Sequence, residues 1–252
     1  MRLLTLARDL HRRKARDKNA LFVVEGVRAA EEIARSPLHI VGALASPQLS
    51  TNPRGSAVRD ALAARSIEIA DVTVAEFESA AETESPQGIL VIASIPERSL
   101  ASLALVDPAR LLVLDGVQDP GNVGTMIRTA AGLGAIATVA LPGTVDLWNA
   151  KVVRSAMGAH FLHPALHCTW DELRQFLDEM RITLWGADAR GAPIERGWAP
   201  RRLAVAVGNE GAGLSAHVRD GCERLVSLVL DPTIESLNVA VAAGILLYEL
   251  RP

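Results

Sequence analysis

Apolar residues follow two rhythms along this 252-residue chain. In the second half they come as short strand-like runs: Leu111–Leu114 is continuous, and Ile136–Leu141, Ile182–Ala187, Leu203–Val207 and Leu225–Leu230 repeat the pattern, some with a Thr, Ser or Gly among them. Continuous runs of this length mark strands buried on both faces, as in a parallel sheet covered by helices. Between or after them, Trp170–Met180 and Leu237–Glu249 repeat at helical spacing, and alternating strands and helices predict an α/β domain. The first half carries a smaller version. Strands are expected at Leu21–Val24, Ile40–Ala45 and Ile89–Ala93, and helices at Val27–Ala34, Ala57–Arg65 and Val74–Ala81, the last capped by Thr73. The expected organisation is a small α/β domain over 1–95, a linker over 96–106 between Pro96 and Pro108, and a larger α/β domain over 107–252.

Composition narrows the class. Hydrophobic residues make up 49% and charged residues 22%, so a packed core is expected; aromatics are only 4%, so Ala, Val and Leu must fill it. Cys168 and Cys222 form no CxxC pair, and the N-terminus lacks the apolar core of a signal peptide. Glycines and Pro142 interrupt the longest apolar stretch, 129–145, so no membrane span is expected and the cytoplasm is the expected compartment. Net charge is −3, yet residues 1–20 hold seven Arg and Lys against Asp9 and Asp17. Such a basic arm either contacts phosphates or is a solvated terminal helix.

Three loops at predicted strand ends carry the chemistry, and ligands in parallel sheets bind beyond the carboxyl ends of strands. The first, Asp115–Gly124, leads into Thr125-Met126-Ile127-Arg128, with Asn122 as the expected N-cap. Arg128 stands alone on an apolar helix and must either form an ion pair, with Glu210 as a candidate, or line a cleft. The second loop, Gly208-Asn209-Glu210-Gly211-Ala212-Gly213, implies tight turns or backbone contact with a ligand. It is not GxGxxG, which disfavours a dinucleotide-dependent oxidoreductase. The third, Leu228–Asn238, enters an apolar helix that either Ser236 or Asn238 can cap. His160, His163, His167 and Cys168 lie close in sequence, but Pro164 breaks any helix that would align them, and no metal site is expected.

Taken together the loops resemble the three motifs of the SpoU/TrmH family of RNA 2′-O-ribose methyltransferases, in the SPOUT superfamily. The residues are Asn122-x-Gly124-x-x-x-Arg128, Gly208-x-Glu210-Gly211-x-Gly213 and Ser236-Leu237-Asn238-Val239-x-x-Ala242, in order across 115–243. Val152–Ala159 is similar to the family's R-x-S-x-G segment. Phe22–Gly26 and Ser85–Ile89 resemble parts of the ribosomal-protein-like, RNA-binding domain that precedes the catalytic domain in many members.

The resemblance implies a C-terminal trefoil knot, a homodimer with its active site near the subunit interface, and S-adenosylmethionine as methyl donor. It implies catalytic roles for Arg128, Asn122, Glu210, Ser236 and Asn238, with cofactor contacts at Leu141, Gly208, Leu228 and Leu237. The substrate it implies is RNA, ribosomal RNA being favoured over transfer RNA. Val229, where many members have proline, and Asp231-Pro232 depart from the pattern and put the shape of the third loop in question. Arginine, with a side-chain pKa above about 12, is a poor general base. Orientation of the hydroxyl or an adjacent phosphate, with stabilisation of a developing alkoxide, suits Arg128 better than proton abstraction. The opposing class is a non-catalytic RNA-binding or ribosome-assembly protein on the same fold, against which the retained Arg128, Glu210, Ser236 and Asn238 speak.

Overall fold

Residues 2–195 and 197–251 are described in a computed structural model. The chain divides into two units, Met1–Glu97 with Trp148–Leu162, and Arg98–Leu147 with His163–Pro252.

The first unit opens with helices α1 (Arg2–Asp9) and α2 (Arg13–Asn19), then β1 (Leu21–Glu25), α3 (Val27–Arg35), β2 (Ile40–Ala45), α4 (Gly55–Ala64), β3 (Ile69–Asp71), α5 (Val74–Glu78) and β4 (Ile89–Ser94). Its sheet runs β1-β4-β2-β3, antiparallel except for the β2–β3 pair. The basic N-terminal segment is not a free arm. Leu3, Leu4, Ala7 and Leu10 are buried among Val23, Phe77, Leu90 and Ile92, so α1 is part of the core. Arg16 is buried too, its guanidinium donating to the Leu10 and His11 carbonyls at 2.7 and 2.8 Å.

The second unit begins with β5 (Ala109–Asp115), every residue of which is buried, followed by α6 (Pro120–Gly132) and β6 (Ala137–Ala140). Within the expected linker, Leu100 is buried in this unit's core, with Leu103 and Leu105 packed against it. The chain then returns to the first unit for α7 (Ala150–Ser155) and α8 (Ala159–Leu162). There Trp148 packs against Phe22, the rings tilted with centroids 4.5 Å apart, and meets the His160 ring edge-on at 4.1 Å. The second unit resumes with β7 (Ala165–His167), α9 (Trp170–Met180), β8 (Thr183–Pro193), β9 (Arg202–Gly208), α10 (Ala216–Gly221), β10 (Arg224–Ser227) and α11 (Val239–Glu249).

The second sheet has the order β10-β8-β9-β5-β6-β7 and every pairing is parallel. From β5 the chain winds outward to β6 and β7, then crosses to build β8, β9 and β10 on the other side. The winding reverses at the β5–β9 junction, the position where open parallel sheets hold ligands beyond the strands' carboxyl ends. All three motif loops leave that edge, from β5, β9 and β10. Leu111, Val113, Ala204 and Ala206 pack with Leu173, Phe176 and Leu177 of α9 in one core cluster, while Leu203, Val205 and Val226 pack with Leu246 and Leu250 in another. These clusters fix the strand ends.

Several boundaries differ from the pattern reading. Strands β3 and β7 were not expected; at three residues each they are too short to show a period. β8 runs on to Pro193, whereas β10 stops at Ser227, leaving Leu228–Leu230 to the loop. Asp119, not Asn122, is the N-cap of α6, its carboxylate accepting the Asn122 N–H at 2.7 Å. Pro120 at the first helical position is preset for the turn and lacks the N–H that a helix start leaves unpaired, which moves the start upstream.

Candidate active site

The site grows from where β5 and β9 end side by side, Asp115 opposite Gly208. Asp115 is buried, and one of its carboxylate oxygens accepts from both the N–H and the hydroxyl of Ser215, at 2.6 and 2.7 Å. That pair pins the end of the second loop to the start of the first. Asn209 adds a second clamp, donating to the Gly116 carbonyl at 3.0 Å and accepting from the N–H groups of Gly211 and Ala212. Within this turn a Cβ on Gly208 would stand 2.1 Å from the Gly213 carbonyl carbon, so only glycine fits. Gly213 itself has φ +71°, a conformation that L side chains rarely adopt.

Glu210, from the second loop, faces the first. Its carboxylate accepts from the Gln118 and Asp119 N–H groups at 3.3 and 3.2 Å and from the Asn122 side-chain amide at 3.1 Å. Partial burial pushes its pKa up. The donors outweigh this and hold it below the ordinary carboxylate value: a backbone N–H of Glu210 itself, then Asn122, Asp119 and Gln118. Asn122 in turn accepts from the Asn238 amide at 3.0 Å. The other end of Asn238 caps α11, accepting the N–H groups of Ala240 and Val241 at 2.9 and 3.3 Å. One hydrogen-bonded chain therefore joins all three loops. It settles the capping question: Asn238 caps α11, and Ser236 is left exposed at the cavity.

Beyond these loops lies an open cavity of about 630 Å³, lined among others by Gly208, Glu210, Leu228, Ser236, Leu237 and Asn238. The backbone groups of Leu228 and Leu237 make no hydrogen bonds to described residues and are free for a ligand. Leu141 does not line this cavity. It is fully buried, its N–H bonded to the Leu114 carbonyl and its carbonyl to the Thr144 N–H. The structure thus unites Asn122, Glu210 and Asn238 directly, and places Gly208, Leu228, Ser236 and Leu237 around one cavity.

Arg128 stands apart. It lies on α6, is exposed, and makes no hydrogen bond or ion pair among the described residues. The candidate pairing with Glu210 is not formed; that carboxylate accepts from Asn122 and the loop N–H groups. Asp115 and Asn209 were missed by sequence reasoning. An aspartate closing an apolar strand immediately before a glycine, and an asparagine inside a glycine turn, were the available signals.

Among the described residues no cluster of three or more His, Cys, Asp or Glu could hold a metal ion, and no helix is long and apolar enough to cross a membrane. The histidines have structural settings instead. His163 is buried and bonds the Thr138 hydroxyl at 2.9 Å, and His160 packs on Trp148.

Comparison with known proteins places these features in a family. Residues 109–248 match the model of the SpoU rRNA methylase family, and residues 5–91 match an MRM3-like substrate-binding domain. A 23S rRNA (guanosine(2553)-2′-O)-methyltransferase, RlmP of Bacillus subtilis, is 36% identical over 97% of this chain and 94% of its own length. The crystal structure of an RNA 2′-O ribose methyltransferase matches 98% of the chain and 94% of its own, with a TM-score of 0.83 at 28% identity. The SpoU methyltransferase AviRb of Streptomyces viridochromogenes, solved with the cofactor AdoMet, shares the fold. Its TM-score is 0.87 over 98% of this chain and 96% of its own, at 24% identity.

Proposed function

The chain belongs to the SpoU rRNA methylase family, and from that premise we propose that it transfers a methyl group from S-adenosylmethionine to a ribose 2′-hydroxyl of ribosomal RNA. The observation that carries this reading is the hydrogen-bonded chain Glu210–Asn122–Asn238, which locks three motif loops around one cavity. At about 630 Å³ the cavity falls in the range of small-molecule and cofactor sites. The free backbone groups of Leu228 and Leu237 suit a ligand held closely by main chain. These residues would hold the methyl donor, and the knotted threading that the family resemblance implies belongs to the same proposal. When bound, the donor supplies a methyl group already activated on a sulfonium.

The chain's own task is alignment and charge. Glu210 is a positioning residue: a carboxylate held below its ordinary pKa and surrounded by donors is a weak proton acceptor. It fixes Asn122, which fixes Asn238, and Ser236 beside them faces the cavity. Arg128, a permanent cation, orients the ribose hydroxyl or its neighbouring phosphate and stabilises negative charge developing on the oxygen. Its solvent-facing position in the single chain fits completion of the site in a homodimer. An apolar face is available for such an interface: Val241, Ile245 and Tyr248 are exposed at i, i+4 and i+7 of α11, with Val229 beside Ile245.

The test is Arg128→Ala. Methyl transfer to RNA is expected to be lost while calorimetric S-adenosylmethionine affinity stays close to wild type. A variant that keeps most of its activity contradicts the assignment.

A further inference from the structure

Asp115 and Ser215 are joined at some expense to both. Asp115, the last residue of β5, is 5% exposed and forms no ion pair among the described residues; its hydrogen bonds come from the Ser215 N–H and hydroxyl. A carboxylate is costly to take out of water unless donors meet its charge. Ser215 is the N-cap of α10, a position where a serine hydroxyl usually accepts an N–H of the first turn. Here the hydroxyl makes no capping bond and donates to Asp115 instead. The carboxylate forgoes solvent and the hydroxyl forgoes its cap, and they meet across 100 residues of chain.

What this bond holds is the mounting of Glu210. Asn209 and Gly213 exchange backbone hydrogen bonds at 2.9 Å, and the Asn209 side chain accepts the Gly211 and Ala212 N–H groups. Residues 209–213 therefore form a closed turn with Glu210 inside it, and such a turn moves as one piece. It is tied to the first loop at two points: at its entry by the Asn209 amide on the Gly116 carbonyl, and beyond its exit by Ser215 on Asp115. Leu214, between the turn and Ser215, is buried in the core cluster, a non-directional anchor. The two directional ties end on consecutive residues, Asp115 and Gly116. The bonds that Glu210 accepts from Gln118, Asp119 and Asn122 span 3.1 to 3.3 Å, at the long end of the usual range. A small shift of the turn would break them.

We infer that Asp115 is a positioning residue for methyl transfer: through Ser215 it sets where Glu210 stands against Asn122, and through that hydrogen-bonded chain the alignment of the acceptor hydroxyl. Asp115 does not line the cavity, so its effect is on geometry alone. The inference rests on the RNA-methyltransferase reading and adds to it a residue remote from the reacting atoms.

The experiment is a double-mutant cycle read in the single-turnover rate of methyl transfer to ribosomal RNA, at saturating RNA and S-adenosylmethionine so that weaker donor binding does not enter. Asp115→Ala, Ser215→Ala and Glu210→Ala are measured singly, and each of the first two is combined with the third. Asp115→Ala is expected to slow transfer by about 10- to 100-fold, the scale of an ångström-sized misplacement. Ser215→Ala should slow it less, because its N–H still reaches the carboxylate. Asp115→Asn, whose amide oxygen can accept from Ser215, should recover most of what Asp115→Ala loses. Each double variant should be no slower than Glu210→Ala alone, since residues that act through one another do not have independent effects. A general structural loss would instead multiply with the Glu210→Ala loss. Multiplying losses overturn the proposal, as do Asp115→Ala and Ser215→Ala rates equal to wild type. Where Asp115→Ala fails to fold, by circular dichroism, Ser215→Ala decides by the same two outcomes. A wild-type chain that transfers no methyl group contradicts the functional reading itself, whereas an active wild type with multiplying variants contradicts only the role of Asp115.

Discussion

His163 shows how little a residue's type says before its neighbours are known. In sequence it sits in a cluster that mimics a metal site. In the structure it is buried against Thr138, and its carbonyl accepts from Arg98 at 2.6 Å. Burial, with the Arg98 charge second, pulls its pKa from 6.5 to about 4. The imidazole is therefore neutral in the folded chain and takes up a proton more readily when unfolded. The stability this gives is complete above about pH 6.5 and is lost as pH falls toward 4, by roughly 2 kcal/mol between pH 6.5 and 5. The thermal midpoint should fall less over that interval in His163→Gln than in wild type; parallel falls would contradict the assignment. At this scale the motif residues Asn122, Glu210 and Asn238 were legible by type and spacing. Their mutual bonding was not, because it joins positions 88 and 116 residues apart. For Arg128 the sequence leaves an ion pair and a cleft-lining position open; the residue is exposed and forms no ion pair among the described residues.

Elements were most legible where burial is two-sided or a cap is explicit. Trp170–Met180 was read from its apolar spacing to the residue, and Thr169 and Glu172 close a capping box at its start. Strands of three residues carry no such signal. The N-terminal helices illustrate a different limit: charge count alone could not separate an arm from a packed helix. α1 buries Leu3, Leu4 and Ala7, so removing residues 1–20 would open the core as well as remove charge. The sharper test leaves α1 intact. Arg13, Lys14 and Lys18 on α2 are exposed, and replacing all three with Glu should weaken RNA binding and reduce its salt slope by about 2 to 3. The thermal midpoint should hardly move, since exposed substitutions of this kind usually shift stability by about 0.5 kcal/mol or less each. An unchanged salt slope would mean that α2 is ordinary solvated surface.

For the molecule as a whole, the division of labour follows from topology. An all-parallel sheet whose winding reverses between β5 and β9 brings three loops, distant in sequence, to one edge. The α/β class, the motif order and the match of 109–248 to one family were readable from the sequence. The return of 148–162 to the first unit is not, because its contacts there, among them Trp148 and Phe161 on Phe22, join positions far apart in sequence and have no local signature. That return places Arg154 with the first unit while Arg128 stays with the second. Transfer to a ribose oxygen is told from transfer to a base by incubating the chain with isotopically labelled S-adenosylmethionine and ribosomal RNA and then hydrolysing the RNA in alkali. A methylated 2′-oxygen blocks cleavage of the adjoining phosphodiester, so label is expected in alkali-resistant dinucleotides with wild type and nowhere with Arg128→Ala. Label recovered in mononucleotides, or no transfer by the wild-type chain, would contradict transfer to a ribose oxygen.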